Sequence, residues 1–158
     1  MINSATLLTL WNRLSSFPGG RFIFSKLIGF LVPYSGSICP KVVTLKPGVA
    51  EVILPDRRSN RNHLRSLHAI ALTNVAEIAS GLAILTAIPP NAQGILRGFE
   101  IQFQKKARGP IRASTQIPVP VEVSEAIEMR VPVELKDASN DVVVTAVATW
   151  RLRQKSST

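Results

Sequence analysis

The chain has 158 residues, of which 46% are hydrophobic and 18% charged, which suits one folded domain and excludes a compositionally disordered protein. Its single cysteine, Cys39, excludes an intrachain disulfide and a cysteine-based zinc cluster. The two histidines, His63 and His68, have no neighbouring ligands at metal-binding spacing, so we expect no metal. The net charge of +9 favours an anionic partner, such as nucleic acid, a phosphorylated cofactor or an anionic membrane.

The first 34 residues contain no acidic residue and carry Arg13, Arg21 and Lys26, a composition similar to that of a mitochondrial presequence. We favour two short amphipathic helices that belong to the domain, because residues 17–20 (FPGG) predict a break between two apolar stripes. The stripes are Leu7, Leu10, Trp11 and Leu14, then Phe24, Leu27, Ile28 and Leu31. Such helices would pack on the core, cover a substrate tunnel or make peripheral contact with a membrane. We therefore expect a cytoplasmic protein, or a mitochondrial one if the segment is a presequence.

Strand and turn signals follow the second helix. Residues 37–56 predict two strands around the turn signal Lys46-Pro47-Gly48. A helix is predicted from about residue 67 to residue 87, where the prolines at 89 and 90 end it. Four further strands are predicted within residues 94–107, 109–120, 124–138 and 140–155, and Ser139-Asn140-Asp141 predicts the turn before the last strand.

The predicted long helix is apolar on all sides, which is typical of a buried helix or a membrane span. Asn74 and Glu77 lie within it, and an acid at the centre of a bilayer is costly, so we favour a buried helix. Its many small residues would let strands approach closely. The sequence thus predicts an α+β fold, in which an antiparallel sheet of about six strands wraps around one long central helix. Residues 1–34 would form an N-terminal helical extension, and residues 35–155 the main domain.

Glu77 is a carboxylate in the middle of this apolar run, and a buried charge is costly unless it is paired or has a chemical role. We interpret it as an active-site carboxylate. The alternative is a structural acid at a dimer interface, paired with an arginine such as Arg61 or Arg65.

The pattern N62-x5-H68-A-I-x6-E77-x3-G81-x-A83, together with the order of elements, resembles the hotdog-fold thioesterase superfamily. It is most similar to the phenylacetyl-CoA-type acyl-CoA thioesterase branch, and within it to an uncharacterised subfamily with an N-terminal helical extension. That family has a Gly three residues after the Asn, His-Gly-Gly at the helix start, and an acid nine residues after the His. Residues 99–114 also resemble the later strand pair of the family, in which a Gly-containing turn joins two long strands.

The resemblance implies an acyl-CoA thioesterase that hydrolyses a medium- or long-chain thioester, with no cofactor beyond the coenzyme A of its substrate. Glu77 would activate water or act as nucleophile, Asn62 would orient the water or the carbonyl, and His68 would complete the catalytic set. The backbone N–H groups of Ala69 and Ile70 would stabilise the oxyanion. Since one chain holds Glu77 far from its own helix start, the resemblance implies a homodimer or a tetramer of dimers with shared sites.

Two departures from the family pattern leave an alternative open. Arg65 stands in place of the Gly, where it would crowd the site or meet a phosphate, and Ala69-Ile70 replaces the Gly pair. The side chain of Ile70 would narrow or block the acyl pocket. The alternative is therefore a non-catalytic module of the same fold that binds acyl-CoA or a fatty acyl chain. Asn62 and His68 would then only cap local structure.

Basic residues flank the predicted site and suit the phosphates of coenzyme A. The candidate coenzyme A ligands are Arg57, Arg58, Arg61, Arg65, Lys105, Lys106 and Arg108. The same charge would suit a nucleic acid, but the six Phe, two Trp and one Tyr fall mostly at core positions. A stacking platform needs aromatic rings between the basic residues, so we expect no nucleic-acid partner.

Overall fold

The computed structural model describes residues 4–119 and 123–155. The helices are α1 (Ser4–Ser15), α2 (Gly20–Leu31), α3 (Pro33–Gly36) and α4 (Ala69–Ala87), with a 3₁₀ turn at Arg58–Asn60. The strands are β1 (Lys41–Lys46), β2 (Val49–Leu54), β3 (Ala92–Phe103), β4 (Ile111–Gln116), β5 (Ile127–Lys136) and β6 (Val142–Gln154). They form one six-stranded sheet in the order β1-β2-β4-β5-β6-β3, in which all neighbours are antiparallel. The predicted fold class is confirmed.

Most predicted element boundaries agree with the structure to within a few residues. The turn at Gly48, with φ 70°, joins β1 to β2, and Asn140, with φ 65°, lies in the turn between β5 and β6. The long helix begins at Ala69 instead of residue 67, because the extended backbone of His68 (φ −68°, ψ 138°) makes it the N-cap. The predicted strand over residues 109–120 ends at Gln116, and residue 120 lies outside the described residues.

The expectation of a strand pair within residues 99–114 is wrong. β3 pairs with β6 at one edge of the sheet, whereas β4 lies between β2 and β5. The segment between them is tied to the loop before α4. Leu67 donates its N–H to the carbonyl of Ala107 (2.9 Å), and Gly109 donates its N–H to Oδ2 of Asp56 (3.0 Å). These bonds direct the chain across the end of the sheet instead of back along β3.

Helix α4 is long and apolar enough to cross a membrane, by length and composition only. In this fold it is the core helix, because it packs against all six strands and 61% of its most apolar 18-residue segment is buried inside the protein. Val75, Ala76, Ala79 and Ala83 are fully buried on it, and the three alanines bring the helix backbone close to the sheet. The prediction of a sheet around a central helix is confirmed.

The first two helices pack on this core. Trp11 of α1 and Phe24 of α2 are buried in an edge-to-face contact, with ring centroids 5.0 Å apart and planes at 76°. α1 also packs against α4 and β1. Ser25 of α2 accepts a hydrogen bond from the N–H of Val42 (2.9 Å), which ties α2 to β1. The described part of the extension is therefore continuous with the main core.

Candidate active site

Glu77 faces a largely apolar cavity of about 450 Å³ between α4, the N-terminal helices and the start of β3. The cavity is lined by Leu7, Ile28, Leu31, Val32, Ser35, Glu77, Ile78, Gly81, Leu82, Ile84, Leu85, Gly94 and Trp150. Glu77 is the one ionisable side chain among these described residues. A volume of this size and an apolar wall with few polar groups are typical of a small-molecule site.

The carboxylate of Glu77 is half-buried and has no hydrogen bond or ion pair with any residue in 4–119 or 123–155. Burial raises the pKa of the Glu77 carboxyl above its usual value, because desolvation disfavours the charged form. The alternative, an ion pair with Arg61 or Arg65 across a dimer interface, stays a prediction. Within the chain, Nε of Arg61 contacts Oδ1 of Asp56 at 2.6 Å, and the side chain of Arg65 is exposed.

A buried serine and tryptophan hold the wall beside Glu77. Ser80 donates its hydroxyl to the carbonyl oxygen of Glu77 (2.9 Å) and accepts a hydrogen bond from Nε1 of Trp150 (3.2 Å). A Cβ atom on Gly81 would lie 3.5 Å from the Trp150 ring and 3.8 Å from Oε1 of Glu77. Ser80 and Trp150 are not among the site residues predicted from the sequence. The available signal for Trp150 was its alternation with Ala148 and Leu152 along the predicted last strand, which places the three on one face, and that face is buried in the structure.

The N-terminal helices form the cover of this cavity. Leu7 of α1, together with Ile28 and Leu31 of α2, contributes apolar side chains to its wall. These residues belong to the two apolar stripes in the sequence, for which both core packing and a tunnel cover were considered. Trp11 and Phe24 lie in the core, whereas Leu7, Ile28 and Leu31 line the cavity, and the role of a substrate-tunnel cover stays a prediction.

The start of α4 is a second cluster of predicted site residues, and its polar groups are bonded locally. Oδ1 of Asn62 accepts hydrogen bonds from the N–H of Leu64 (2.9 Å) and from the N–H and hydroxyl of Ser66 (3.2 Å each). Nδ1 of His68 accepts from the N–H of Ile70 (3.1 Å), so His68 caps the helix. The amide oxygen of Asn62 and one predicted oxyanion donor are thus already occupied within the chain.

The remaining predicted oxyanion donor is the N–H of Ala69, the first residue of α4. It has no acceptor within the part of the chain that the structure describes. The first N–H groups of a helix lie at its positive end, which suits a developing oxyanion.

The two departures from the family pattern lie at this same end of α4. Arg65 adopts φ 57°, a left-handed conformation that favours glycine, the family residue at this position. Ile70 is 55% exposed and is not among the residues that line the Glu77 cavity. Within one chain, Ile70 therefore leaves the cavity open.

One chain does not bring the predicted catalytic residues together. Glu77 lies nine positions after His68, or roughly 13 Å along the axis at about 1.5 Å per residue. A water held by Glu77 is therefore out of reach of the free N–H at Ala69 of the same chain. The arrangement is suited to a site that two chains share.

The structure places the two predicted basic clusters side by side, through the bonds between residues 67 and 107 and between 56 and 109. Arg61 is paired with Asp56, and Lys105 contacts Asp137 (2.9 Å) and Asp141 (2.6 Å). The other candidates are exposed and have no ion pair within the described residues: Arg57, Arg58, Arg65, Lys106 and Arg108. The described residues contain no group of three or more His, Cys, Asp or Glu side chains placed to hold a metal ion.

Comparisons with known proteins agree with this fold. A structural-genomics crystal structure is 32% identical, with a TM-score of 0.80, and the match covers 96% of this chain and 99% of that one. A Pseudomonas aeruginosa protein described as a probable thioesterase is 23% identical (TM-score 0.72; 88% of this chain, 97% of that chain). A thioesterase family protein from Silicibacter pomeroyi is 17% identical (TM-score 0.69; 85% and 99%).

A search of curated proteins found no match. The family profile described as "Domain of unknown function (DUF4442)" matches residues 20–152, which include α4, β1 to β5 and most of β6. The chain therefore has the hotdog fold and belongs to the DUF4442 family.

Proposed function

We propose that this protein is a thioesterase that hydrolyses a medium- or long-chain acyl-CoA. One observation carries the proposal: Glu77 is an unpaired carboxylate with a raised pKa in a cavity whose wall is otherwise almost entirely apolar. Such a cavity suits an acyl chain, and a carboxyl whose pKa lies closer to neutral is a better general base. The thioesterase descriptions of the structural relatives support the same reaction class.

The proposed reaction uses Glu77 to take a proton from a water molecule as that water attacks the thioester carbonyl. The negative charge that develops on the carbonyl oxygen would be stabilised by the N–H of Ala69 at the start of α4. Collapse of the tetrahedral intermediate breaks the carbon–sulfur bond, and the proton held by Glu77 passes to the leaving thiolate. The products are a carboxylic acid and free coenzyme A, with no other cofactor.

The proposal needs a homodimer, in which Glu77 of one subunit faces the helix start of the other. The sheet offers a surface for this pairing, because β3 is an edge strand of 12 residues that pairs, among the described residues, on one side only, with β6. A long unpaired edge is a template for another strand. Ile95 and Phe103 on β3 are exposed apolar residues that a second chain would cover. Two such dimers would form the tetramer.

Coenzyme A would bind on the basic surface beside the helix start, through the candidate ligands that have no carboxylate partner. Arg58, Lys106 and Arg108 are exposed and adjacent to the loop that precedes α4. Guanidinium and ammonium groups form strong charge-assisted hydrogen bonds with phosphate. The nucleotide end would therefore stay at the surface while the acyl chain enters the cavity.

A thiol-release assay over a series of acyl-CoA chain lengths tests the proposal, with Glu77→Gln compared with the unmodified protein. Loss of a general base is expected to lower kcat by about 10²–10⁴-fold. Glu128→Gln, which changes an exposed carboxylate on β5, is the matched control and should leave kcat unchanged.

Two results would contradict the proposal. Equal rates for the Glu77→Gln variant and the unmodified protein would show that Glu77 is not the general base. Calorimetric binding of acyl-CoA by the unmodified protein, with no turnover at any chain length, would instead support a non-catalytic binding module.

A further inference from the structure

Helix α2 presents an apolar stripe to solvent. Ile23, Leu27 and Phe30 recur at helical spacing on it and are 49%, 39% and 82% exposed. Phe22 and Tyr34 extend the exposed surface on either side. Isolated exposed apolar residues are normal, but a contiguous set of this kind marks a surface that contacts a partner or a membrane. We call these five residues, four on α2 and Tyr34 on the adjoining α3, the α2 stripe.

A basic groove of about 470 Å³ runs along one side of the α2 stripe. Lys26, Lys41 and Arg57 contribute to its wall, and its described lining residues include no acid. None of these three cations has an ion pair within residues 4–119 and 123–155. The first acidic residue of the whole chain is Glu51, so the N-terminal helices carry only positive charge.

The other side of the α2 stripe borders the mouth of the Glu77 cavity. Leu31 and Val32 are 52% and 49% exposed, and both also line that cavity. A single helix thus separates a cationic groove from an apolar cavity and carries an exposed apolar surface between them.

We propose that the α2 stripe docks on the surface of an anionic lipid bilayer. The stripe would enter the boundary between headgroups and acyl chains, while Lys26 and Lys41 contact lipid phosphates. Apolar burial together with a cationic flank is the combination by which amphipathic helices bind such surfaces. Docking would place Leu31 and Val32 at the membrane, so that a long acyl chain passes directly from the bilayer into the cavity. This last step rests on the proposed thioesterase function, whereas the docking does not.

Charge favours a bilayer over a second copy of the chain as the occupant. In a twofold pair the same surface of both chains meets, which would bring two unpaired Lys26 and Lys41 sets together. Like charges at such an interface are unfavourable. The unpaired edge of β3 is also available for a second chain.

Vesicle flotation measures the docking without any turnover. The full chain is mixed with vesicles of phosphatidylcholine alone or of phosphatidylcholine with phosphatidylglycerol. We expect binding to the mixed vesicles that weakens as salt is raised. The double variant Ile23→Ser/Leu27→Ser removes apolar contact without changing either cavity wall, and should lower partitioning by about tenfold or more.

The charge contribution is tested separately. Lys26→Gln/Lys41→Gln should lower partitioning onto the mixed vesicles by roughly fivefold for each charge removed, and change little on phosphatidylcholine alone. Matched controls are Val119→Ser, an exposed apolar residue elsewhere, and Arg151→Gln, an exposed cation on β6. Both should bind as the unmodified protein does.

Three results would overturn the proposal: no flotation of the unmodified protein, equal binding to both kinds of vesicle, or a smaller oligomer of the Ile23→Ser/Leu27→Ser variant by light scattering. The last result would assign the stripe to a second copy.

Glu77→Gln should float like the unmodified protein. If it floats while neither protein hydrolyses acyl-CoA, docking stands and the proposed function fails. If the unmodified protein hydrolyses soluble acyl-CoA but does not float, the proposed function stands and docking fails.

Discussion

Polar side chains at the start of α4 are hydrogen-bonded within the chain, whereas the carboxylate in the middle of α4 is not bonded to any described residue. At the start, Asn62 accepts three hydrogen bonds and His68 caps the first turn. In the middle, Glu77 lies against an apolar wall and has no bonded partner among the described residues. The first arrangement stabilises the fold, whereas the second costs free energy, because a desolvated carboxylate is left without a counter-charge.

This difference separates structural from chemical roles better than residue type does. Buried polar groups in folded proteins nearly always have partners, so a group without one is a candidate for function. By this criterion Glu77 is the candidate for chemistry, whereas the oxygen of Asn62 already has partners within the chain. Ala69 is exposed, and its N–H is a candidate on a different ground, because the first N–H groups of a helix lack intrahelical acceptors and lie at its positive end. Variants at these positions test the comparison.

After Glu77→Gln, the largest effect is expected from Ala69→Pro, which removes the free N–H without disturbing the helix. Proline suits the first helical position, and the extended backbone of His68 is compatible with a following proline. Loss of one oxyanion donor should lower kcat by about 10²–10³-fold in the thiol-release assay. Ala69→Ser keeps the N–H and is the control. Equal loss in both variants, or none in either, would contradict the assignment.

The same variant tests whether two chains share the site. In a heterodimer of Ala69→Pro with Glu77→Gln, one of the two sites combines an intact acid with an intact helix start. Separately tagged and copurified heterodimers should therefore recover about half of the activity of the unmodified dimer, while each homodimer stays inactive. Absence of recovery would place the whole site within one chain.

A smaller effect is expected from Asn62→Ala, and it should be on stability. The substitution leaves the N–H groups of Leu64 and Ser66 without their acceptor, which costs about 1–3 kcal/mol of unfolding free energy. Urea denaturation measures the loss, and the exposed His63→Ala is the control. A fall in kcat with unchanged stability would instead show that Asn62 orients the substrate or the water.

Much of the fold was predictable because its signals are local. The turns at Gly48 and Asn140 lie at positions of positive φ. The length of the α4 segment and its apolar residues on all sides were sufficient to identify the central helix. The pairing of β3 with β6 was not predictable from the segment that joins β3 to β4. That segment resembles a hairpin, but its N–H and carbonyl groups bond to the loop before α4, a contact between residues about 40 or more positions apart.

The site was predictable only in part, for a physical reason. The residue spacing located Glu77 and the start of α4, but a sequence does not show which polar groups are satisfied. His68 is already bonded to Ile70, and Arg61 to Asp56, so two candidate groups have structural partners. The buried bond between Ser80 and Trp150 joins positions 70 residues apart and has no local signal.

The described basic residues near the start of α4 also divide into those that are paired with a carboxylate and those that are not, and the unpaired ones are the candidate phosphate ligands. Removing an unpaired cation, as in Lys106→Ala or Arg108→Ala, should raise KM for acyl-CoA by roughly two- to fivefold, the scale of an exposed charge contact. Each should leave KM unchanged for an acyl-pantetheine thioester, which lacks the nucleotide phosphates. The exposed Arg151→Ala is the control. A change in KM for both substrates would place the contact on the acyl end.

The smallest effect is the pH dependence of stability, where Glu77 and Glu100 should behave oppositely. Burial raises the pKa of Glu77 in the folded chain, so its ionisation costs stability as pH rises above the unfolded value near 4.5. Glu77→Gln should therefore stabilise the protein at neutral pH, and the gain should vanish as pH falls below that value. The Arg130 guanidinium (2.8 Å) lowers the pKa of Glu100, so its contribution is present above pH 4.5 and lost on acidification. Glu100→Gln should thus lower the free energy of unfolding slightly at neutral pH. Urea denaturation of both variants at several pH values around 4.5 measures the two changes in the free energy of unfolding. Changes of the same sign in the two variants at neutral pH would contradict the opposite environments of the two acids.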